Sequence, residues 1–137
     1  MVALEPTRLS AATELLDERF GLDALWLFGS EATGRAMVES DVDLAALFGR
    51  PPSATELVEA QQDVGELLGG DVDLVDLDRA SPILAMQVLR YGTLLLDRNP
   101  RRRTDFVAHT PGRYEDVVIT RREIERALLQ RVRGDGS

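Results

Sequence analysis

The sequence predicts an α/β or α+β domain of 137 residues built around one mostly buried sheet. Apolar residues at helical spacing alternate along the chain with short apolar runs that suit strands. Capping signals stand in front of several of the predicted helices. No apolar run approaches the roughly 20 residues that a membrane-spanning helix needs. Strands that alternate with helices in this way place the helices against the faces of a central sheet.

The first half of the chain predicts one helix, two strands and a second helix. Apolar residues recur at helical spacing over residues 9–20, and Gly21 can end that helix. Residues 24–28 form a short apolar run typical of a buried strand, and residues 42–48 predict a second strand. Ser53 and Glu56 form a capping box for the next helix, which the Gly69-Gly70 pair ends.

The second half continues the alternation. Residues 72–77 predict a third strand, and Ser81-Pro82 opens a helix that runs to about Tyr91. Residues 93–96 predict a fourth strand. A helix beginning near Asn99-Pro100 is expected to break around residues 110–112, before a last helix that a second capping box opens. The prediction is a small mixed sheet of about four strands flanked by helices, with C-terminal helices.

Charge is distributed unevenly along the chain. The net charge is −8, with no lysine; residues 1–97 hold 6 Arg and 18 acidic residues, and residues 98–137 hold 10 Arg and 6 acidic residues. We therefore expect residues 1–97 to form the core and residues 98–137 to form an Arg-rich C-terminal helical extension of the same domain. An acidic core repels nucleic-acid backbones, so direct nucleic-acid binding is not expected. The Arg101-Arg102-Arg103 run is interpreted as solvated, or alternatively as a contact for an acidic partner.

Composition also excludes several kinds of site. The absence of cysteine excludes disulfides, thiolate zinc sites and cysteine nucleophiles. A single histidine, His109, argues against a histidine-based catalytic or metal cluster. Residues 1–10 have neither a basic start nor an apolar stretch, so no secretory signal is predicted and a cytoplasmic location is expected.

A glycine and a small hydroxyl residue follow the first predicted strand. Gly29 and Ser30 end that strand and precede residues 31–33, which can begin a helix. A glycine at such a place lets a ligand approach the backbone closely. A small hydroxyl side chain beside free helix N-terminal amides suits phosphate oxygens. These two residues are therefore candidates for phosphate binding.

Acidic residues follow ten positions later. Asp41 and Asp43 lie two apart at a predicted strand, so their carboxylates point to the same side of the sheet. Such a pair suits Mg²⁺, which binds one or two carboxylates together with substrate phosphates. Asp73 lies inside the next strand with apolar neighbours on both sides, which makes it a candidate third acid. The alternative without a functional site is a strand whose acidic side chains point outward into solvent. We expect the other acidic residues of this stretch to be solvated; they are Asp71, Asp76 and Asp78.

The pattern Gly29-Ser30, ten residues, Asp41-x-Asp43 and a third acid at Asp73 resembles the nucleotidyltransferase fold of the polymerase-beta-like superfamily. More narrowly it resembles the minimal nucleotidyltransferases, the MNT or MntA-type antitoxins, over roughly residues 10–97. The resemblance implies a Mg²⁺-dependent transfer of AMP from ATP to a hydroxyl. It implies that Asp41, Asp43 and Asp73 hold two Mg²⁺ ions, that Asp73 helps deprotonate the incoming hydroxyl, and that Gly29 and Ser30 bind the outgoing phosphates.

The resemblance also implies a partner. Minimal nucleotidyltransferases of this size are typically encoded beside a HEPN-domain RNase toxin. They silence it by adding AMP to a tyrosine, and the two proteins form a complex. The implied function is that of an antitoxin in a hetero-oligomer with its cognate HEPN toxin.

One departure from the family pattern keeps other functions open. Where the family commonly has an aromatic residue after Gly-Ser, this chain has Glu31, and the basic residue, Arg35, comes two positions later than usual. A glutamate there repels a triphosphate unless Arg35 or a metal offsets it. The alternative is therefore a catalytically weak antitoxin that neutralises its partner by direct binding. A nucleotidyltransferase acting on small molecules or nucleic acid normally needs an extra substrate domain, for which about 40 residues leave little room.

Overall fold

The computed structural model describes residues 5–29 and 42–135. Helices and strands alternate along them in the predicted order. The elements, labelled in chain order, are α1 Pro6–Phe20, β1 Leu22–Phe28, β2 Val42–Phe48, α2 Ala54–Leu68, β3 Val72–Asp76, α3 Pro82–Tyr91, β4 Thr93–Asp97 and α4 Pro100–Asp135. The predicted fold class is confirmed.

The sheet has four strands in the order β3-β2-β1-β4. β1 lies antiparallel to both β2 and β4, whereas β2 and β3 are parallel. A parallel pair needs a crossover connection, and α2 supplies it between β2 and β3. The mixed sheet expected from the sequence therefore arises from this one β2-α2-β3 crossover.

Helices cover both faces of the sheet. One face packs against α1 and α2, whose buried apolar side chains join those of Leu25, Leu44 and Leu74. The other face, which carries Trp26 and Leu47, packs against α3 and against Phe106 of α4. Every residue of β2 is buried, as expected for a central strand covered on both faces.

The predicted helix ends are confirmed where local signals set them. Gly21 follows α1 with a φ of 72° and Gly69 follows α2 with a φ of 77°, a conformation that glycine adopts without strain. At the start of α2, the Ser53 side chain accepts from the Glu56 N–H at 3.1 Å, and the Glu56 carboxylate accepts from the Ser53 N–H at 3.0 Å. The Arg50 guanidinium and the Ser53 N–H together lower the pKa of Glu56 to about 2.

The C-terminal segment differs from its prediction. α4 runs unbroken from Pro100 to Asp135 with Pro111 inside it, so the expected interruption near residues 110–112 and the separate last helix are wrong. A proline inside a helix removes one backbone hydrogen bond. Packing in the preceding turn stabilises the helix: Phe106 contacts the core, and the buried Thr110 hydroxyl donates to the Phe106 carbonyl at 2.7 Å. Thr120 and Glu123, the residues of the second predicted capping box, lie inside α4 and do not begin a helix.

Arginines at the start of α4 join it to one end of the sheet. Arg102 donates to Asp23 at 2.9 Å and also to Asp78, and Arg103 donates to Asp97 at 2.8 Å. Arg98 donates in the same way to Asp17, whose other oxygen accepts from the Leu22 N–H. The Leu22 N–H and the Arg98 guanidinium lower the pKa of Asp17. We call this the arginine end of the sheet.

The arginine end corrects the interpretation of the Arg101-Arg102-Arg103 run. Only Arg101 is exposed, whereas Arg102 and Arg103 are half-buried and paired with acidic residues of the same chain. Two of the three basic groups therefore act as internal counter-ions of the acidic core. No helix within residues 5–29 and 42–135 combines the length and the apolarity that crossing a membrane requires.

Candidate active site

The opposite end of the sheet carries the acidic motif, and we call it the motif end. β1 finishes there at Phe28, and β2 and β3 begin there at Val42 and Val72. Phe28 pairs with Asp43 across the antiparallel strands, and Asp43 pairs with Asp73 across the parallel ones. Strand register alone therefore places Gly29, Asp43 and Asp73 at one end of three neighbouring strands.

Asp43 and Asp73 project from the same face of the sheet. Residues in register on neighbouring strands point to the same side, with their strands about 4.8 Å apart. By the alternation of side chains, this is the face on which Ala45 and Leu47 pack toward α3. Asp43 is only 3% exposed and Asp73 is partly buried. Two carboxylates so close together repel each other, and a cation between them relieves that repulsion.

The donor set suits a hard divalent cation. Carboxylate oxygens on adjacent strands provide the ligand type that Mg²⁺ prefers, with positions left for water and phosphate oxygens. Among residues 5–29 and 42–135, no group of three or more His, Asp or Glu residues is placed to hold a metal ion. The two described acids would thus form part of a metal site rather than a whole one.

Gly29 follows β1 beside these acids. Its φ is not in the left-handed region, and a Cβ built on it would meet no described atom within 4 Å. Neither backbone conformation nor packing of the described residues therefore requires glycine here. The close approach of a ligand to this backbone, which the sequence predicts for a phosphate contact, stays a prediction.

Two of the predicted site residues, Ser30 and Asp41, lie outside the described residues. The same is true of Glu31, Thr33 and Arg35, where the sequence departs from the family pattern. The structure thus brings together Gly29, Asp43 and Asp73 of the five predicted residues. The roles assigned to all five stay predictions.

A pocket that the sequence analysis did not anticipate lies beside the motif end. It has a volume of about 620 Å³ and lies between the C-terminal half of α2 and the start of β3. Its floor includes Asp71 and Val72, and Gln61 on its wall accepts from the Leu74 N–H at 2.8 Å. The one sequence signal for it is the Gly69-Gly70 pair, because larger side chains there would fill part of the space.

Asp76 was expected to be solvated, and that expectation is wrong. It lies at the end of β3 with only 5% of its surface exposed. One carboxylate oxygen accepts from the Asp78 N–H at 3.2 Å, and the other lies 3.8 Å from Arg79. Burial raises the pKa of Asp76. It stands at the arginine end, away from the motif, so its position favours a structural role in the turn that leads to α3.

A comparison with models of protein families matches the part of the chain that contains the motif strands. A model described as polymerase beta, nucleotidyltransferase matches residues 11–101, more than half of the chain. The chain belongs to this nucleotidyltransferase family. The match includes β1, β2 and β3 and ends at the start of α4, so most of α4 lies outside the part that defines the family.

Comparison with individual nucleotidyltransferases shows more specific similarities. The chain is 38% identical over 74 residues to the protein adenylyltransferase MntA of Shewanella oneidensis; the alignment covers 54% of this chain and about half of that relative's length. A solved toxin–antitoxin structure with AMP-PNP matches at a TM-score of 0.73 and 28% identity, covering 92% of this chain and 99% of the other. The structure of a tri-AMPylated Shewanella oneidensis HEPN toxin with MNT antitoxin matches at 0.72 and 27% identity, covering 90% and 97%. The predicted resemblance to the MNT-type nucleotidyltransferases is confirmed.

Proposed function

We propose that this nucleotidyltransferase is a Mg²⁺-dependent protein adenylyltransferase and acts as an antitoxin. It would transfer AMP from ATP to a hydroxyl, in our hypothesis that of a tyrosine, on a cognate HEPN RNase toxin. The observation that carries the proposal is the in-register pairing of Asp43 with Asp73 beside Gly29 at one end of the sheet. The similarity to MntA supports the protein acceptor, and the similarity to a tri-AMPylated toxin complex supports the partner.

The proposed roles divide between acids and the Gly-Ser pair. Asp41, Asp43 and Asp73 would hold two Mg²⁺ ions, which when bound supply positive charge to the triphosphate and to the attacking oxygen. Gly29 would let the triphosphate approach the backbone, and Ser30 would donate its hydroxyl to the outgoing phosphates. The low exposure of Asp43 keeps water from its carboxylate, which would strengthen its attraction for a bound cation.

The transfer itself forms one bond and breaks one. The acceptor hydroxyl oxygen attacks the α-phosphorus of ATP, and the bond from that phosphorus to the oxygen bridging the β-phosphate breaks. Pyrophosphate leaves with the electron pair, and the hydroxyl proton passes to the Asp73 carboxylate and then to water. In-line geometry of this kind depends on positioning more than on covalent chemistry, so the fixed strand register is well suited to it. Because the reaction consumes ATP, we place it in the cytoplasm.

Intact-mass measurement tests the proposal. The purified chain is mixed with ATP, Mg²⁺ and the HEPN protein encoded beside it, and the mass of each protein is followed. We expect one or more AMP units on the partner, absent without Mg²⁺ and absent with Asp43→Asn. Asp105→Asn is the matched control, because Asp105 is an exposed acid of α4 away from the motif end. Failure of the wild-type chain to modify the partner would overturn the enzymatic proposal.

The second candidate is inhibition by binding alone, and Glu31 is the observation that favours it. In that case the Asp43→Asn variant would form the complex and neutralise the toxin as well as the wild-type chain does. RNase activity of the partner, measured with and without ATP, separates the two functions. Neutralisation that needs ATP supports the enzyme, and neutralisation without ATP supports the binding protein.

A further inference from the structure

The distal part of α4 projects from the domain without cover. Residues 119–131 are all exposed, and we call this segment the α4 arm. At 1.5 Å per residue it extends about 20 Å beyond the packed part of the helix. The last contact with α3 is near its base, where the Arg90 guanidinium lies 5.7 Å from the centre of the Tyr114 ring. An isolated helical segment of this length is marginal in water, so packing against something else would stabilise it.

The arm exposes large apolar side chains on more than one side. Four of them are 50 to 57% exposed: Ile119, Ile124, Leu128 and Leu129. Val117, Ile124 and Leu128 are seven and four residues apart and share one side of the helix, and a pocket of about 530 Å³ lies along it. Leu129 follows Leu128 by one residue and so lies about a quarter-turn or more around the helix. Large apolar side chains grouped on an exposed helix mark a surface for a partner.

Basic residues outnumber acidic ones in the arm, which holds four arginines, at 121, 122, 126 and 131, against Glu123 and Glu125; Asp116 and Glu125 border the same pocket as Arg121. Arg121 lies four residues after Val117 and three before Ile124, and Arg131 lies three residues after Leu128. In the part of the chain that the structure describes, neither arginine makes an ion pair, in contrast to Arg98, Arg102 and Arg103 at the start of the same helix. The covering surface should therefore be apolar with acidic residues at its rim.

The position of the arm connects it to the partner rather than to the nucleotidyl transfer. The family model ends at residue 101, so the arm lies outside the pattern shared by nucleotidyltransferases in general. The toxin–antitoxin structure with AMP-PNP covers 92% of this chain, and that coverage must extend well into α4. This agrees with our proposal that residues 1–97 perform the transfer and that residues 98–137 are a helical extension.

We propose that the α4 arm docks into an apolar groove of the HEPN toxin, with acidic groups of the toxin facing Arg121 and Arg131. The inference rests on the proposed function for the identity of the partner. A second copy of this chain, whose residues 1–97 carry a net charge of −12, is the other occupant that the test below distinguishes.

A binding measurement without ATP tests the arm separately from catalysis. The double variant Ile124→Asp/Leu128→Asp is compared with Gln130→Asp, which adds one of the same charges to the arm off the apolar line. We expect the dissociation constant for the toxin to rise at least 100-fold in the double variant and to stay within threefold in the control. Arg121→Glu/Arg131→Glu should slow association at least tenfold at low salt, and salt should reduce the difference.

The outcomes separate docking from chemistry. Wild-type binding without AMP transfer would overturn the enzymatic proposal, and loss of that binding in the double variant would still support the arm. If Ile124→Asp/Leu128→Asp and Arg121→Glu/Arg131→Glu both bound the toxin as the wild-type chain does, the arm inference would be overturned, whether or not AMP is transferred. Failure of the wild-type chain to bind the toxin would overturn it too. A dimer of the chain alone that the double variant abolishes, seen by light scattering, would assign the arm to a second copy instead.

Discussion

The two ends of the sheet use acidic residues in different ways. At the arginine end, Asp23 and Asp78 share Arg102, and Asp97 pairs with Arg103, so each carboxylate meets a cation from α4. At the motif end, strand register places Asp43 and Asp73 beside each other, like charge next to like charge. These three acids at the first end stabilise the fold through opposite charges. Adjacent acids at the second end suit the binding of a cation that arrives with a substrate.

The largest expected effect comes from the motif end. Asp43→Asn should lower AMP transfer on the order of 10³-fold or more, because metal-dependent charge stabilisation contributes several kcal/mol to such a step. The same change should shift the melting temperature by no more than a few degrees, because asparagine has nearly the same size and shape as aspartate. Transfer rates and thermal unfolding measured on the same preparation check both parts. A variant that loses activity only because it unfolds would contradict the contrast between the two ends.

At the arginine end the expected effect is on stability. Arg102→Ala removes the partner of two half-buried or exposed carboxylates and should reduce the free energy of unfolding by about 1 to 3 kcal/mol. Arg101→Ala is the matched control. Arg101 is the neighbouring residue and its side chain is exposed, so its loss should change the free energy of unfolding by less than about 0.5 kcal/mol. Urea unfolding measures both. Equal stabilities of the two variants would show that the ion pairs contribute little.

A smaller effect on stability is expected at the start of α2, which also lies near the arginine end. Ser53→Ala removes the side chain that accepts from the Glu56 N–H and should cost about 1 kcal/mol of stability. Ser53→Asn keeps an N-cap oxygen and should restore most of it. If alanine and asparagine variants unfolded at the same urea concentration, the capping box would not stabilise the protein in solution.

Buried Asp76, at the arginine end, makes the stability of the protein depend on pH. Its pKa is raised by burial, so ionising it in the folded state is harder than in the unfolded chain. Stability is therefore unaffected well below the ordinary pKa of 3.8, falls as the pH rises from there through the raised value, and stays lower above it. Asp76→Asn should raise the melting temperature at pH 7, and the gain should disappear near pH 3. A gain that is independent of pH would show that charge is not its cause.

Local sequence signals predicted the core elements well. The bounds of β2 agree with the prediction to the residue, and Gly21, Ser53 and Ser81 mark helix ends as expected. These features depend on a few neighbouring residues. The break predicted in α4 failed because packing of Phe106 and Thr110 outweighed the local effect of Pro111.

Long-range relations limited the rest of the prediction. The pairing of Arg102 with Asp23 joins residues 79 positions apart, so a run of three arginines cannot reveal it locally. The spacing of the motif indicated that Asp43 and Asp73 belong to neighbouring strands, but their register depends on the whole β2-α2-β3 crossover. Burial of Asp76 follows the alternation along β3, where Val72, Leu74 and Asp76 are buried, so this signal was present in the sequence.

The β2-α2-β3 crossover also sets the order in which the protein becomes able to act. Asp43 and Asp73 lie on strands that a 15-residue helix separates, so they meet only after that helix has formed and β3 has docked. Closing such a non-local contact is slow compared with forming a helix or a hairpin. During synthesis, a ribosome must release residues well beyond β3 before the two acids can be neighbours. Under the proposed antitoxin function, a toxin finished earlier would have an interval of activity before this chain matures.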